Sequence, residues 1–311
     1  MDFAELLNKG FLNSTRVQKR FERMIALSFK KTLQDVRAEV SAFYSKYAVN
    51  KKLTMDILVK SKKYPELERK IFDALEGNLS QTIATIKTSL PVQFHEGFTR
   101  TAYAFDTALK TRLGWKMPSS ASVSKMFSTA NLNNFYYTEA IKNFPIEVKR
   151  KVRQAVMNNI TAGKSVSAMT EDLKQAVNFV NYKASLIVQT EGTAAINAGM
   201  NAVFLQAEDM GMKGQYVWNA VNDLRTRPDH AEMNGEVKQA DGFYNGPGGE
   251  RAPYPGWIGL SAGQRCNCRC IEVFQVDSMA DQLISKVLAN KSPAISYKKW
   301  KEEGNASDEE G

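Results

Sequence analysis

Trp218-Asn219-Ala220-Val221-Asn222-Asp223-Leu224-Arg225-Thr226-Arg227-Pro228-Asp229-His230 is the stretch on which the reading of this chain turns. It grows out of a short β-like run, Tyr216-Val217-Trp218, and is followed by Asn234-Gly235, a pair with the chemistry of a tight turn. Residues 234–264 hold eight glycines and three prolines, so they are loop and turn rather than helix. Arg265-Cys266-Asn267-Cys268-Arg269-Cys270 then leads into Cys270–Val276, the clearest strand pattern in the chain. Asp223 suits an Asx turn or a pairing with Arg225 or Arg227. His230, Cys266, Cys268 and Cys270 are soft metal ligands that two turns can bring together, and three or four of them suffice for a structural zinc ion. Against that, alternate residues of a strand face opposite ways, so a bend at Arg269 is required before both sulfurs reach one ion. The alternative is a metal-free fold with buried thiols and an Asp–Arg network.

Working outward, the upstream sequence is helical. Over residues 14–48, Val17, Phe21, Met24, Phe29, Leu33, Val36, Val40, Phe43 and Tyr47 recur at helical spacing, with Asn13 and Ser14 as caps. Further helices are predicted from Thr54, from Pro65 to Gly77, and over Leu79–Leu90, where Pro91 should stop or restart the run. Residues 92–113 continue, and Gly114–Ser120 reads as a linker. Helices resume over about 122–142, 146–162, Ser167–Val177 and 182–210, with a last one over 279–290. The acidic end, Asn305–Gly311, should be disordered. The fold class is therefore mainly α with a small α+β C-terminal domain: a basic helical region 1–117, a helical connector 118–180, the loop-rich domain 181–277, and a short helix with tail at 278–311.

The net charge of +9 is lopsided. Residues 1–150 hold 25 Lys/Arg against 14 Asp/Glu, whereas 151–311 hold 17 against 19. A basic helical half is the footprint of a polyanion partner, and Lys19, Arg20, Lys30, Lys31 and Arg37, largely off the apolar stripe, are candidates to meet DNA or a partner helix. Lys and Arg that merely solubilise long helices are the competing reading. Residues 1–7 lack a cationic leader region, and no apolar run is long enough to span a membrane. Three cysteines within five residues cannot build a disulfide framework and fit a reducing compartment.

Signals for catalysis are poor. Gly163-Lys164-Ser165 lacks the earlier glycine of a phosphate loop and follows a helix, so it reads as a helix–helix turn. The chain has two histidines, and His95 stands alone in a helical segment.

Taken together, the series is specific. Thr190-Glu191, Ala194, Ala195 and Asn197 on a helix precede Trp218, Asp223, Arg225, Thr226, His230, Asn234-Gly235 and Cys268-Arg269-Cys270. In that order, over roughly residues 180–276, they resemble the Mu F-like, or head-morphogenesis, domain of tailed-phage minor head proteins. Two departures stand out: some members carry cysteines where Arg227 and His230 stand, and Arg265-Cys266 replaces a common His-Pro. The resemblance implies a non-enzymatic, low-copy virion component made in the host cytoplasm and retained inside the capsid. Its implied partners are the portal protein, capsid or scaffold proteins and double-stranded DNA bound without sequence preference, and its implied roles are procapsid assembly and genome ejection. Two rivals are a nucleic-acid-modifying or toxin-like enzyme using Asp223, Arg225 and His230, and a plain DNA-binding accessory factor.

Overall fold

The computed structural model describes residues 3–50, 52–128, 135–221, 223–257, 259–304 and 306–308. It is 69% helical with a few short strands, so the mainly α chain with a small α+β C-terminal region is what the sequence folds into. The helices are longer than the sequence suggested. α1 spans Phe3–Tyr47 and does not begin at the caps expected at Asn13 and Ser14. Ser14 is buried, its hydroxyl donating to the Gly10 carbonyl at 3.1 Å. After α2 (Met55–Ser61), capped by the Thr54 side chain, α3 runs from Tyr64 to Leu109 straight through Gly77 and Pro91. Proline removes one backbone donor. Here Leu90, Phe94 and Phe98 are all buried on either side of it, and their packing outweighs the local break.

β1 (Trp115–Met117) lies within the expected linker, and α4 (Ser120–Ser128) starts at its last residue. The expected 122–142 helix crosses 129–134, which lie outside the described residues. α5 (Phe135–Thr161) continues through Pro145, and α6 (Val166–Asp209) is one helix where two were expected. Val177, Val180, Ala184 and Val188 are buried along it without interruption, which is why it does not break near residue 180. Gly163, at φ +59°, makes the helix–helix turn read from the sequence. Of the tail expected to be disordered, Ala306–Asp308 form a short strand parallel to β1, and 305 and 309–311 lie outside the described residues.

Two compact units are each assembled from separated stretches of chain. One comprises Arg20–Lys87 and Tyr137–Val188, and its described residues are helical apart from the turns and an isolated bridge between Val49 and Lys52. Its core is built at i, i+4 and i, i+7 spacing from Phe29, Val36 and Phe43 of α1, Leu67, Ile71 and Leu75 of α3, and Val148, Val152 and Val156 of α5. Phe29 meets Phe144 edge-on at 6.2 Å.

The other unit comprises residues 1–19, 88–136 and 189–311. It holds the antiparallel pair of β2 (Met212–Asn219) and β5 (Ile271–Met279), in register from Met212 opposite Met279 to Asn219 opposite Ile271. Phe204 of α6 packs on this pair through Tyr216 and Phe274, and Phe105 of α3 joins Phe204 to Trp115. The remaining elements here are α7 (Pro228–Glu232), the short hairpin β3 (Tyr244–Asn245) and β4 (Arg251–Ala252), α8 (Ala262–Arg265), α9 (Asp281–Ala289) and α10 (Tyr297–Glu302). Buried Asp106 receives the indole N–H groups of Trp115 and Trp300, each at 2.9 Å, and the Leu113 amide at 3.2 Å. His95 makes a structural contact, its Nε2 lying 3.1 Å from the Pro118 carbonyl oxygen.

α3 and α6 touch within this unit at glycines. A methyl built on Gly97 would stand 2.9 Å from the Ile196 carbonyl carbon and nearer still to its oxygen. One built on Gly199 would lie 2.9 Å from the Phe98 nitrogen and nearer still to the Phe94 oxygen. Each helix therefore presents a bare backbone to the other. No described helix is long and apolar enough to cross a membrane.

Candidate functional site

The glycine-rich segment has a core of its own. Trp218, Ala220, Met233, Tyr244, Ala252, Leu260, Cys268 and Cys270 form one buried cluster, flanked by Tyr216 and Trp257. Trp218 leaves β2 fully buried, with the Tyr244 ring standing on it edge-on at 5.2 Å and the His230 ring at 6.4 Å. The Asn234-Gly235 turn then sends the chain back along β2. Gly235, at φ +90°, donates to the Trp218 carbonyl at 2.8 Å, and the Trp218 amide donates to Glu236 at 2.8 Å. The Asn234 side chain accepts from the Ala220 amide at 3.0 Å.

The two ends of the motif meet. Arg269 grips Asp223 with two parallel hydrogen bonds of 2.6 and 2.5 Å, and donates to the Thr226 hydroxyl at 3.4 Å. Asp223 also makes the expected Asx turn, accepting from the Arg225 amide at 2.9 Å. Its main ionic partner is thus Arg269, whereas the sequence suggested Arg225 or Arg227; Arg225 contributes only a 3.8 Å contact from a side chain that is 77% exposed. The Arg269 hydrogen bonds hold the Asp223 carboxyl well below the usual carboxylate range. A carboxylate with a lowered folded pKa adds stability above its unfolded pKa and loses it as pH falls through the folded one. The melting difference between wild type and Asp223→Asn should therefore be full at neutral pH and shrink below about pH 4. A difference that stayed constant down to pH 2 would show that the clamp contributes no proton-linked stability.

A second set of contacts binds α7 to the cysteine turn. Arg227 donates to the carbonyls of Cys266 and Gln264, both at 2.8 Å, with Nη2 also 2.9 Å from His230 Nε2. His230, placed by Pro228 at the first turn of α7, is 2% exposed. Its Nδ1 lies 3.4 Å from Cys270 Sγ and 3.7 Å from Cys268 Sγ, while Nε2 is 3.0 Å from Gln264 Oε1. The hydrogen bond from Cys270, aided by His230, pulls the Cys268 thiol low, and the hydrogen bond to Cys268 together with burial pushes Cys270 up. Cys266, half-buried, lies outside this group of three, so the expected four-residue ligand set reduces to His230, Cys268 and Cys270. Asn267, at φ +57°, turns the chain just before Cys268, and residues 268–270 precede the regular strand, which begins at Ile271.

α6 anchors the module from below. Asn197 donates to the carbonyls of Pro255 and Cys270 at 2.9 and 3.0 Å, and Glu191 pairs with fully buried Arg265 at 2.7 Å. Burial raises the Glu191 carboxyl, and Arg265 pulls it back. Sequence reasoning found no role for Arg265 beyond its departure from the family pattern. It also missed the network around Glu272, which Lys238 meets at 2.5 Å, Asn201 at 2.9 Å and Tyr244 at 3.1 Å. A glutamate in a strand one position from Val273 and an isolated lysine in a loop carry no motif; only their joint burial shows them.

Lys19, Arg20, Lys30, Lys31 and Arg37 are all exposed on α1, remote in sequence from this module, and Arg16 and Arg23 join them. None of the seven has an ion pair among the described residues, whereas Lys70, Lys149 and Arg153 each hold a carboxylate at 3.3, 2.5 and 2.7 Å.

Residues 150–273 match the family described as Phage Mu protein F like protein. The chain is 24% identical to the minor head protein GP7 of Bacillus phage SPP1 over 301 residues, covering 94% of each. It is 25% identical over 161 residues to an uncharacterised protein of Haemophilus influenzae, covering 51% of this chain and 30% of that one. It is also 26% identical over 166 residues to the NAD(+)--arginine ADP-ribosyltransferase EFV of Enterococcus faecalis, covering 49% of this chain and 34% of the other. No solved structure matches.

Proposed function

We propose that this chain, which carries the Phage Mu protein F like domain over residues 150–273, is a phage minor head protein held at the portal inside the head, where its basic helix lies on packaged DNA. The observation that carries the reading is the end-to-end likeness to a minor head protein, covering 94% of both chains, so that the likeness extends well beyond the domain. The geometry supports a structural role for the motif residues. Asp223 is committed to Arg269, and the His230 ring nitrogens face two thiols, Gln264 and Arg227, which leaves neither group directed at a substrate as a general base. The ADP-ribosyltransferase likeness covers 49% of this chain and 34% of that enzyme.

The DNA contact is argued from α1. Arg16, Arg23, Lys30 and Arg37 recur every seven residues on its exposed side, and between residues 16 and 37 seven cations face only Glu22 and Asp35. Twenty-one residues of α-helix rise about 32 Å, close to the ~34 Å repeat of duplex DNA. Unpaired cations so arranged meet phosphates without reading bases.

Arg16, Arg23, Lys30 and Arg37 replaced together by Glu should abolish binding to random-sequence duplex DNA at low salt. For the wild type, log affinity should fall steeply with log salt. A milder set of four glutamines should flatten that slope by roughly 3 to 4 units, about 0.9 for each phosphate no longer neutralised. Unchanged affinity in the Glu variant would remove DNA from this face. Co-purification with the portal protein, and detection of the chain in intact virions, test the location.

A further inference from the structure

We propose that His230, Cys268 and Cys270 form a binding site for a soft divalent cation of the zinc class, with one solvent molecule as fourth ligand. In a tetrahedral site with Zn–S near 2.3 Å and Zn–N near 2.1 Å, nitrogen and sulfur ligands stand about 3.6 Å apart. His230 Nδ1 stands 3.4 and 3.7 Å from the two sulfurs, and all three ligand atoms lie within 4.8 Å of one another.

The sequence makes the triangle by an unusual route. Residues 268 and 270 would face opposite sides of a regular strand. The left-handed Asn267 turns the chain as it leaves α8, the strand begins only at Ile271, and both thiols are buried on the side of His230. The outer nitrogen of the imidazole is also arranged for metal ligation. Nε2 lies 3.0 Å from Gln264 Oε1 and 2.9 Å from the donor Arg227 Nη2; the tautomer that donates Nε2–H to Gln264, in place of accepting from Arg227, leaves the Nδ1 lone pair for the ion. Arg227 ties the Gln264 and Cys266 carbonyls to α7 at 2.8 Å each, fixing the turn that carries the thiols against the helix that carries the histidine.

The fourth position has room and polarity. A cavity of about 20 Å³ is bounded by His230, Cys268, Cys270, Arg225, Arg227 and Arg269. One water needs roughly 10–15 Å³ of such space. Two thiolates balance the charge of a dication, and Asp223 takes up the charge of Arg269. Binding sends the thiol protons to solvent, so affinity should rise with pH.

The test uses the full-length chain, purified under reducing conditions without chelator and dialysed against equimolar zinc, with metal measured by mass spectrometry. About one zinc per chain is expected in the wild type and in Cys266→Ser, and close to none in Cys268→Ser/Cys270→Ser. Should the double variant fail to fold, cobalt(II) titrated into chelator-stripped wild type decides. A thiolate-to-cobalt charge-transfer band saturating at one equivalent supports the site. Absence of the band, absence of zinc in the wild type, or equal zinc in a folded double variant overturns it.

Discussion

Replacing Arg265 by alanine is expected to cost about 3–5 kcal/mol, the usual penalty for stranding one partner of a buried ion pair. Both residues are almost without solvent contact, at 1% for Arg265 and 4% for Glu191, with the charges 2.7 Å apart. Once Arg265 is gone, Glu191 must take a proton or stay charged in an apolar site. Burial already raises its carboxyl, and a raised folded pKa gives stability that is present below the unfolded pKa and lost as pH rises through the folded one. The Arg265→Ala deficit should accordingly be largest above neutrality and shrink as pH falls toward the carboxylate range. Replacing both partners by apolar residues, Glu191→Leu with Arg265→Met, should cost less than either single change. Denaturant midpoints at pH 8 and pH 4.5 decide the matter. A single-variant loss below about 1 kcal/mol, or a double variant worse than both singles, would mean that the pair does not hold α6 to the cysteine turn.

Gly199→Ala should be nearly as damaging, at about 3 kcal/mol, the upper end of ordinary overpacking. The obstacle is backbone, not a flexible side chain: the Phe94 carbonyl and the Phe98 nitrogen occupy the space a methyl needs. The sign of this change is informative because alanine is otherwise the better helix residue by about 1 kcal/mol. Gly77, inside α3, has nothing within 4 Å of a built methyl, so Gly77→Ala should stabilise by up to that amount. Thermal melts of the two variants should move in opposite directions. Movement in the same direction would show that the α3–α6 contact is looser than its geometry.

The mainly α class and the loop-rich C-terminal module were legible because periodicity and turn chemistry are local signals. Val36, Val40 and Phe43 declare one helix face, and Asn234-Gly235 declares a turn whatever surrounds it. Helix boundaries were not legible where tertiary burial overrides local preference. Pro91 breaks an isolated helix, yet α3 passes through it because Leu90 and Phe94 are both packed. At the motif, residue types were readable but partners were not. Asp223 was expected beside a neighbour in sequence and instead meets Arg269, forty-six positions away. Arg265 stood only as a departure from a familiar pattern. Its pairing with Glu191 depends on how α8 lies against α6, which no short-range signal encodes.

Asn8 and Asn219 share a 3.1 Å hydrogen bond across 211 positions, and the unit that contains both draws on residues 1–19 and 189–311. During translation at roughly 5–20 residues per second, the first turns of the chain emerge ten to forty seconds before those mates exist. Leu7 and Phe11, each under 5% exposed in the finished protein, belong to a unit that stays incomplete for that interval. Newborn chains are therefore candidates for chaperone capture.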